Sequence, residues 1–215
     1  MKKFQNITDK IAPSIIIAVL LMIWQILSMV NIIPKFMLPS PFEVVKAFVY
    51  DFPLLMEHTK ITLLEAFLGL SLGIILGFAV AVIMDRFEYA YKMIYPVLII
   101  SQTIPTVAIA PLLVLWLGYG ILPKITLIVM TSFFPITIGL LDGFRSADKD
   151  MLNLLKTMGA TPFQNFVHVK LPGSLGYFFA GLRISVSYSI IGAVVAEWLG
   201  GFSGLGVYMT RVRKS

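Results

Sequence analysis

The stretch KITLLEAFLGLSLGIILGFAVAVIM, residues 60–84, decides the fold class of this chain. A helix needs about 20 mostly apolar residues to cross the hydrocarbon core of a bilayer, and this stretch is long enough. Similar apolar runs lie at roughly 12–33, 93–117, 123–141 and 175–199. Polar and apolar residues do not alternate in these runs, and only helices and closed barrels satisfy their backbone in lipid. All five runs are therefore predicted to be transmembrane helices of an all-α bundle.

The composition supports a membrane protein. Apolar residues make up 58% of the 215 residues and charged residues only 13%, whereas a soluble domain has about 25% charged residues. We expect one domain over residues 1–215, because no stretch has the composition of a linker. Since there is no Cys, a disulfide framework and a thiolate metal site are excluded. The net charge is +6, and most basic residues lie in short clusters between apolar runs. This distribution is typical of residues that orient a membrane protein rather than of a nucleic-acid-binding surface.

The positive-inside rule predicts a cytoplasmic N-terminus and a multi-pass topology. With that orientation the cytoplasmic segments hold most of the basic residues, namely Lys2, Lys3, Lys10, Arg86, Lys92, Arg145, Lys149, Lys156 and Lys170. The outer segments hold fewer, namely Lys35, Lys46, Lys60 and Lys124. Arg211, Arg213 and Lys214 disagree, since they would lie outside after a fifth helix. We therefore expect that Ser215 is not the natural end and that a sixth helix follows it.

Two short helices outside the membrane have start signals. Ser40-Pro41-Phe42-Glu43 has the pattern of a capping box and predicts an external helix near 41–50. Thr161-Pro162-Phe163-Gln164 repeats this pattern on the cytoplasmic side, and Gly159 suits the left-handed position that ends a preceding helix. The cytoplasmic segment 142–172 is therefore predicted to be a helix, a break at Gly159 and a second short helix.

The same segment has the right form to transmit force. The sequence has no Gly-rich loop with Lys-Ser/Thr for binding phosphate, so the chain is not expected to bind ATP itself in that way. A capped helix between two spanning helices could pass a rigid-body push to both. The alternative is an ordinary cytoplasmic loop that happens to be helical.

Segment 142–172 resembles the cytoplasmic signature of bacterial ABC-importer permeases, which is Glu-Ala-Ala, three residues, Gly, nine residues, Ile, one residue and Leu-Pro. Gly159, the spacing and Leu171-Pro172 match, and Val169 stands at the Ile position. The Glu-Ala-Ala positions depart from the pattern, since they hold Asn153, Leu154 and Leu155. The resemblance implies a coupling helix that docks on an ATP-binding subunit through Asn153, Lys156, Gly159, Ala160, Thr161, Pro162, Leu171 and Pro172.

Other short motifs are similar to the sulfonate, nitrate, taurine and thiamine-pyrimidine branch of the type I permeases. They are Leu38-Pro39-Ser40-Pro41, Ile104-Pro105, Ala110-Pro111, Phe133-Phe134-Pro135-Ile136, Gly181-Leu182-Arg183, Ala196-Glu197 and Gly204-Leu205-Gly206. The resemblance implies a bacterial plasma-membrane permease that forms a homodimer or pairs with a homologous subunit. It also implies cytoplasmic ATPase subunits that hold ATP and Mg, and an external solute-binding protein. No cofactor is expected on this chain, and the solute is a thiamine-precursor pyrimidine or a sulfonate-, nitrate- or taurine-like anion, with the pyrimidine favoured.

Small residues recur every fourth position in two of the apolar runs. Gly69, Gly73, Gly77 and Ala81 form one stripe, and Gly181, Ser185, Ser189 and Ala193 form the other. Such stripes allow backbones to approach closely, so these helices are predicted to pack on one another or on a partner subunit. The hydroxyls of Ser185 and Ser189 are alternatively candidates for a polar path.

Polar residues inside the predicted spans are the other pathway candidates. Glu65, Arg183 and Glu197 are costly in lipid, so they face a bundle interior or snorkel to the interface. Our hypothesis is that Glu197 bounds the outer gate. Gln102 and Thr103 precede Pro105, where a kink is expected, and they contact either substrate or a neighbouring helix. No nucleophile and base stand together, and no metal site is expected because His58 and His168 fall on opposite sides of the membrane.

Two other classes of membrane protein compete with the importer hypothesis. A self-sufficient secondary transporter would need coupling-ion sites, usually at broken helices of symmetric repeats, and no repeat is evident in the sequence. A membrane scaffold would have no transport role. Segment 150–172 favours the importer, because a secondary transporter has no need of a docking helix there.

Overall fold

The chain is helical in the computed structural model, which describes residues 2–30, with side chains from Pro13 onward, and residues 37–212. It divides into two compact units, Met1–Met56 and Glu57–Ser215. The basic residues Lys2, Lys3, Lys10, Lys35, Arg213 and Lys214 lie outside the described side chains. The helices are α1 Lys2–Met29, α2 Pro41–Tyr50, α3 Phe52–Arg86, α4 Glu88–Ser101, α5 Thr106–Leu117, α6 Ile121–Arg145, α7 Lys149–Thr157, α8 Pro162–Asn165, α9 Leu171–Gly200 and α10 Leu205–Val212.

The first unit contains α1, α2 and the start of α3. The capping box before α2 is formed, because Ser40 Oγ accepts from the Glu43 N–H at 3.2 Å and Glu43 Oε2 accepts from the Ser40 N–H at 2.8 Å. Trp24 Nε1 donates to the Pro39 carbonyl at 3.0 Å. These bonds fix the turn that leads into α2.

Three helices are long and apolar enough to cross a membrane among the residues that the structure describes: Phe52–Arg86, Ile121–Arg145 and the continuous stretch Pro162–Gly200. The predicted first run, 12–33, extends into residues 31–36, which lie outside the described part, and its apolar helical portion is Pro13–Met29. Five spans were predicted, and length and composition support three, or four if the bent pair described next is one span.

The predicted span 93–117 is not one continuous helix. It consists of the end of α4 and all of α5, which are bent by 101° at a break over residues 102–105. Pro105 lacks a backbone donor and disfavours the helical conformation at Ile104, so the helix ends before it. The sequence predicted a kink at this proline, and the structure shows a sharper break.

Helix α6 lies between α3 and α9, and this arrangement corrects the predicted packing of the two small-residue stripes. A Cβ added at Gly69 or Gly77 would meet Ile128 or Ile136 of α6, and one at Gly73 would meet Ser132 Oγ at 2.5 Å. On the opposite side of α6, Gly181 lies against the Pro135 carbonyl. Each stripe therefore packs on α6 rather than on the other stripe, because α6 supplies bulky side chains that fill the space left by the glycines.

The apolar core follows α6 along its length. Phe144, Leu140 and Ile136 are buried against Ala81 and Met84 of α3. Nearer the other end, Leu127 of α6 packs with Ala110 and Leu113 of α5 and Ala196 of α9. We call the end of the bundle with Glu65, Lys124 and Glu197 the Glu197 end, and the end with Asp85 and Arg145 the Asp85 end.

Candidate functional site: docking segment, cavity and buried polar cluster

The docking segment, residues 149–170, joins α6 to α9 at the Asp85 end. Asp148 caps α7, since its Oδ1 accepts from the Asp150 N–H at 2.8 Å. Gly159 ends this helix with a φ of 83°, a conformation that costs a residue with a Cβ about 1 kcal/mol or more. Thr161 then caps α8 through reciprocal bonds with Gln164 of 2.7 and 3.3 Å. A π-helical turn, Phe166–Lys170, continues without interruption into α9.

An ion pair ties this segment to α3. Lys170 Nζ lies 2.7 and 2.8 Å from the two carboxylate oxygens of Asp85, and both side chains are mostly buried. The sequence analysis counted Lys170 as a topological charge and did not single out Asp85. Their pairing connects residues 85 positions apart, a separation at which no local pattern in the sequence predicts contact.

Most of the residues predicted to dock lie at the surface of the segment. Asn153, Lys156, Gly159, Thr161 and Pro162 are exposed and Ala160 is half-buried. Leu171 and Pro172 begin α9, where Leu171 packs against the core around Phe144 while Pro172 is exposed. Contact of these residues with another subunit stays a prediction.

The sequence analysis missed a group of exposed apolar side chains on the same segment. Met158 and Phe163 are 74% and 73% exposed, and Met151 and Leu154 are 53% and 60% exposed. Met151, Leu154 and Met158 lie outside the stretches that are long and apolar enough to span a membrane, and exposed apolar side chains at such positions are typical of a surface that a partner covers. The helical spacing of Met151, Leu154 and Met158 in the sequence was a signal that could have identified three of them.

A second feature is a cavity of about 280 Å³ beside the α4–α5 break. Gln102, Thr106, Thr131 and Tyr188 contribute its polar groups, and its apolar wall is formed by Ile104, Ile191, Gly192 and Val195. Within the described part of the chain, no charged side chain lines it. Gln102 thus lies on a cavity, and its role in a pathway stays a prediction.

The other polar candidates of the spans lie elsewhere. Thr103 is not in the cavity lining, and its hydroxyl donates to the Ile100 carbonyl at 2.8 Å. Ser185 is fully buried and donates to the Ser132 carbonyl of α6 at 2.6 Å, while Ser189 donates to the Val186 carbonyl at 2.8 Å. In this conformation both hydroxyls satisfy backbone carbonyls, and a polar path along these serines stays a prediction.

The third feature is a buried polar cluster around Glu197. One carboxylate oxygen accepts from Thr62 Oγ1 at 2.7 Å and the other from the Gly206 N–H at 2.6 Å. Thr62 Oγ1 in turn accepts from the Leu205 N–H at 2.9 Å, and His58 Nδ1 accepts from the Gly204 N–H at 3.0 Å. Side chains of α3 and α9 thus satisfy the free N–H groups at the start of α10.

The neighbouring charges of the cluster form an ion pair. Lys124 Nζ lies 2.6 Å from Glu65 Oε1, and both side chains are buried. Snorkelling, one of the alternatives for Glu65 and Glu197, is therefore wrong, whereas Arg183 is exposed. The pairing was missed because Lys124 was assigned to an outer segment. Among the described residues, no group of three His, Cys, Asp or Glu side chains could hold a metal ion.

Comparisons with known proteins identify the family of the chain. The family model described as "Binding-protein-dependent transport system inner membrane component" matches residues 69–215. The chain belongs to this family. Its members include the permeases of ABC importers, and the resemblance noted at Gly159 and Leu171-Pro172 is thereby confirmed.

Relatives with assigned names are permeases. A probable ABC transporter permease protein of Haemophilus influenzae is 43% identical over 92% of this chain and 80% of the relative. The formylaminopyrimidine transport permease protein ThiX of Halalkalibacterium halodurans is 39% identical, over 93% of this chain and 80% of the relative. The putative aliphatic sulfonates transport permease protein SsuC of Bacillus subtilis is 29% identical, over 99% of this chain and 76% of the relative.

The fold comparison gives the same architecture. A crystal structure of an amino acid ABC transporter with histidines matches with a TM-score of 0.65 and 14% identity, over 78% of this chain and 81% of that one. At this identity the match shows the fold alone, which is that of a type I importer permease. Family membership makes the chain a membrane-embedded transport subunit of an ABC importer, and it argues against the secondary-transporter and scaffold alternatives.

Proposed function

We propose that this ABC permease forms the translocation pathway for a small polar solute and is driven by a cytoplasmic ATP-binding subunit docked on residues 149–170. The observation that carries the proposal is the docking segment itself, which exposes Met158 and Phe163 and continues without a break into α9. ATP and Mg would lie in the partner subunit, and an external binding protein would deliver the solute.

The segment is connected so that a push on it reaches two spans. The π-helical turn joins it directly to α9, and the Lys170–Asp85 pair joins it to the end of α3. A displacement of the segment would therefore be passed to α3 and α9, in addition to α6, from which the segment continues along the chain. A movement of rigid helices can be passed on in this way because packed helices switch between discrete arrangements and do not deform continuously.

The cavity at the α4–α5 break is our candidate for the place where the solute passes. Amide and hydroxyl groups of Gln102, Thr131 and Tyr188 can donate and accept hydrogen bonds, and an apolar wall suits a planar ring. A binding site for an anion such as a sulfonate or nitrate would be favoured by a basic side chain. Among the described residues, no basic side chain lines the cavity. We therefore favour a neutral pyrimidine, as the name of the ThiX relative also suggests.

The Glu197 cluster is our candidate for the outer gate. Glu197 holds the turn before α10 against Thr62 of α3 through both carboxylate oxygens. Opening at this end would require these buried hydrogen bonds to break and other partners to replace them. The cluster therefore stabilises the state in which this end is closed. With the Glu197 end outside, we expect the N-terminus in the cytoplasm of a bacterial plasma membrane, and lipid around a permease dimer of identical or homologous subunits.

Copurification tests the docking proposal. The tagged chain is solubilised in mild detergent together with the ATP-binding subunit of its importer, as wild type, Phe163→Ser and Gly159→Val. We expect the ATPase subunit with the wild type and at least a tenfold reduction with either variant, since a buried aromatic anchor contributes about 2 kcal/mol or more.

A matched control separates docking from backbone strain. Gly118 also has a positive φ, 77°, with open space around it, and it lies at the opposite end of the bundle. Gly118→Val should bear a similar strain and still retain the ATPase subunit. Retention of the ATPase subunit by both Phe163→Ser and Gly159→Val would place the docking surface elsewhere.

A further inference from the structure

Two cavities adjoin each other on the face of the bundle formed by α3 and the start of α9. The first, about 460 Å³, lies at the Asp85 end between the end of α3 and the docking segment. The second, about 390 Å³, lies further along the same helices, between Ile74–Phe78 of α3 and Leu171–Phe178 of α9. Neither belongs to the translocation cavity, which lies beside Gln102.

The first cavity carries positive charge that this chain does not neutralise. Arg86, Lys156 and Lys170 line it together with one acid, Asp85, which Lys170 already pairs. Arg86 and Lys156 have no carboxylate partner in the described part of the chain; the guanidinium of Arg86 lies 5.6 Å from the Phe87 ring centroid. Two cations facing one cavity favour an anionic occupant.

A buried polar atom in the same cavity also lacks a partner. Asn165 Oδ1 has no hydrogen-bond partner although it is fully shielded from solvent. A buried amide without a partner is costly, and it indicates a missing ligand or water. Since the amide oxygen and nitrogen exchange places by a simple flip, Asn165 can accept from a hydroxyl or donate to an anion.

The second cavity is almost entirely apolar. Ile75, Phe78 and Leu175 are its exposed walls, and Ser174, its polar member, is buried and donates to the Leu171 carbonyl. An apolar groove on a membrane-spanning helix pair has the chemistry of an acyl-chain site. It has no group that would bind a soluble anion.

The two cavities are contiguous on both walls. Phe78 of the apolar groove and Val82 of the cationic cavity are one helical turn apart on α3, and Leu171 and Lys170 are adjacent. The buried Phe144 ring connects one lining residue of each cavity, since it lies 6.5 Å from Phe78 and 5.1 Å from Phe166. A cationic chamber at the end of a span therefore opens into a dry groove within it.

We propose that these cavities together hold one anionic phospholipid, with its phosphate between Arg86 and Lys156 and an acyl chain in the groove between Ile75 and Leu175. A hydroxylated headgroup such as that of phosphatidylglycerol would also reach Asn165. The site makes the docking segment sensitive to membrane composition, because Lys156 and Phe163 belong both to this segment and to the cavity lining.

Lipid binding to the full-length permease, purified with its ATPase subunits, tests the proposal. The complex is delipidated in detergent and titrated with vesicles of phosphatidylglycerol, vesicles of phosphatidylcholine or inorganic phosphate, with thermal stability and retained lipid as readouts. We expect stabilisation by phosphatidylglycerol, little by phosphatidylcholine and none by millimolar phosphate. Arg86→Gln and Lys156→Gln should each weaken the effect about fivefold, since a basic residue near an anionic membrane contributes about 1 kcal/mol.

Two further variants make the test specific. Lys92→Gln removes an exposed cation at the same end but outside both cavities, and it should bind phosphatidylglycerol like the wild type. Leu175→Trp fills the apolar groove, keeps every charge and should release the retained lipid. Equal responses of Arg86→Gln and the wild type, or of Leu175→Trp and the wild type, would overturn the proposal. Stabilisation by inorganic phosphate alone would also overturn it in favour of a soluble anion.

Discussion

Lys124 donates to Glu65 across 2.6 Å inside the bundle, and the exposed fractions of the two side chains are 7% and 5%. The pair links α3 to α6 at the Glu197 end. Removing one partner leaves the other charge buried without compensation, which costs about 3–5 kcal/mol, whereas replacing both with apolar groups of similar volume is often neutral.

We therefore expect Glu65→Leu and Lys124→Met each to lower the melting temperature of the purified permease strongly. The double variant should recover most of the loss, because no uncompensated charge remains. Thermal unfolding in detergent, followed for all four proteins, measures the coupling. Additive losses in the double variant would show that the two residues act independently.

The hydroxyl of Thr62 serves both Glu197 and the Leu205 N–H. Thr62→Val keeps the shape of the side chain and removes both bonds, at a cost of about 1–3 kcal/mol. We expect α10 to detach more often, so tryptic cleavage after the exposed Arg211 should become faster. Thr126→Val is the matched control, since that hydroxyl bonds only the Leu122 carbonyl of its own helix. Equal cleavage of both variants would contradict the role of Thr62.

Glu197→Gln tests the gate. Glutamine has one acceptor oxygen in place of two, so it cannot offer Thr62 Oγ1 and the Gly206 N–H a separate oxygen each, as Glu197 does. We expect solute transport by the reconstituted importer to fall severalfold and ATP hydrolysis to lose its stimulation by the loaded binding protein. Unchanged transport and unchanged coupled hydrolysis would remove Glu197 from the gate.

The glycine stripe of α3 gives a packing prediction. A side chain at Gly73 would meet Ser132 Oγ and the backbone of α6, whereas one at Gly176 meets nothing within 4 Å. Gly73→Leu should destabilise the permease by about 3 kcal/mol through overpacking, and Gly176→Leu should leave it folded. The yield of monodisperse protein and its melting temperature compare the two, and equal behaviour would place the α3–α6 contact elsewhere.

The ion pair between Lys170 and Asp85 should matter for coupling more than for docking. Asp85→Asn leaves Lys170 without its partner while the exposed surface around Phe163 is unchanged. We expect the ATPase subunit still to copurify, with less solute transported per ATP hydrolysed. The exchanged pair Asp85→Lys with Lys170→Asp should restore part of the coupling, and failure of Asp85→Asn to change the ratio would contradict this role.

Sequence reasoning reached the fold class and the local elements of the docking segment. Apolar runs predicted spanning helices at α3, α6 and α9, and capping residues such as Thr161 and Gly159 mark helix ends in the structure where their patterns predicted them. These features depend on neighbours within about four residues, so they are visible in a linear sequence. The α4–α5 break was predicted only as a kink, because the angle depends on what packs around Pro105.

The sequence by itself determined that the chain is a helical membrane protein, and its motifs indicated the permease family. Hydrophobicity and turn chemistry are local properties, and they act before any tertiary contact forms. Only the tertiary structure decided that α6 separates the two small-residue stripes, that Glu65 pairs with Lys124, and that Glu197 holds the turn before α10. These are contacts between residues far apart in sequence, and their partners are selected by how the packed helices bring buried charges and free N–H groups together.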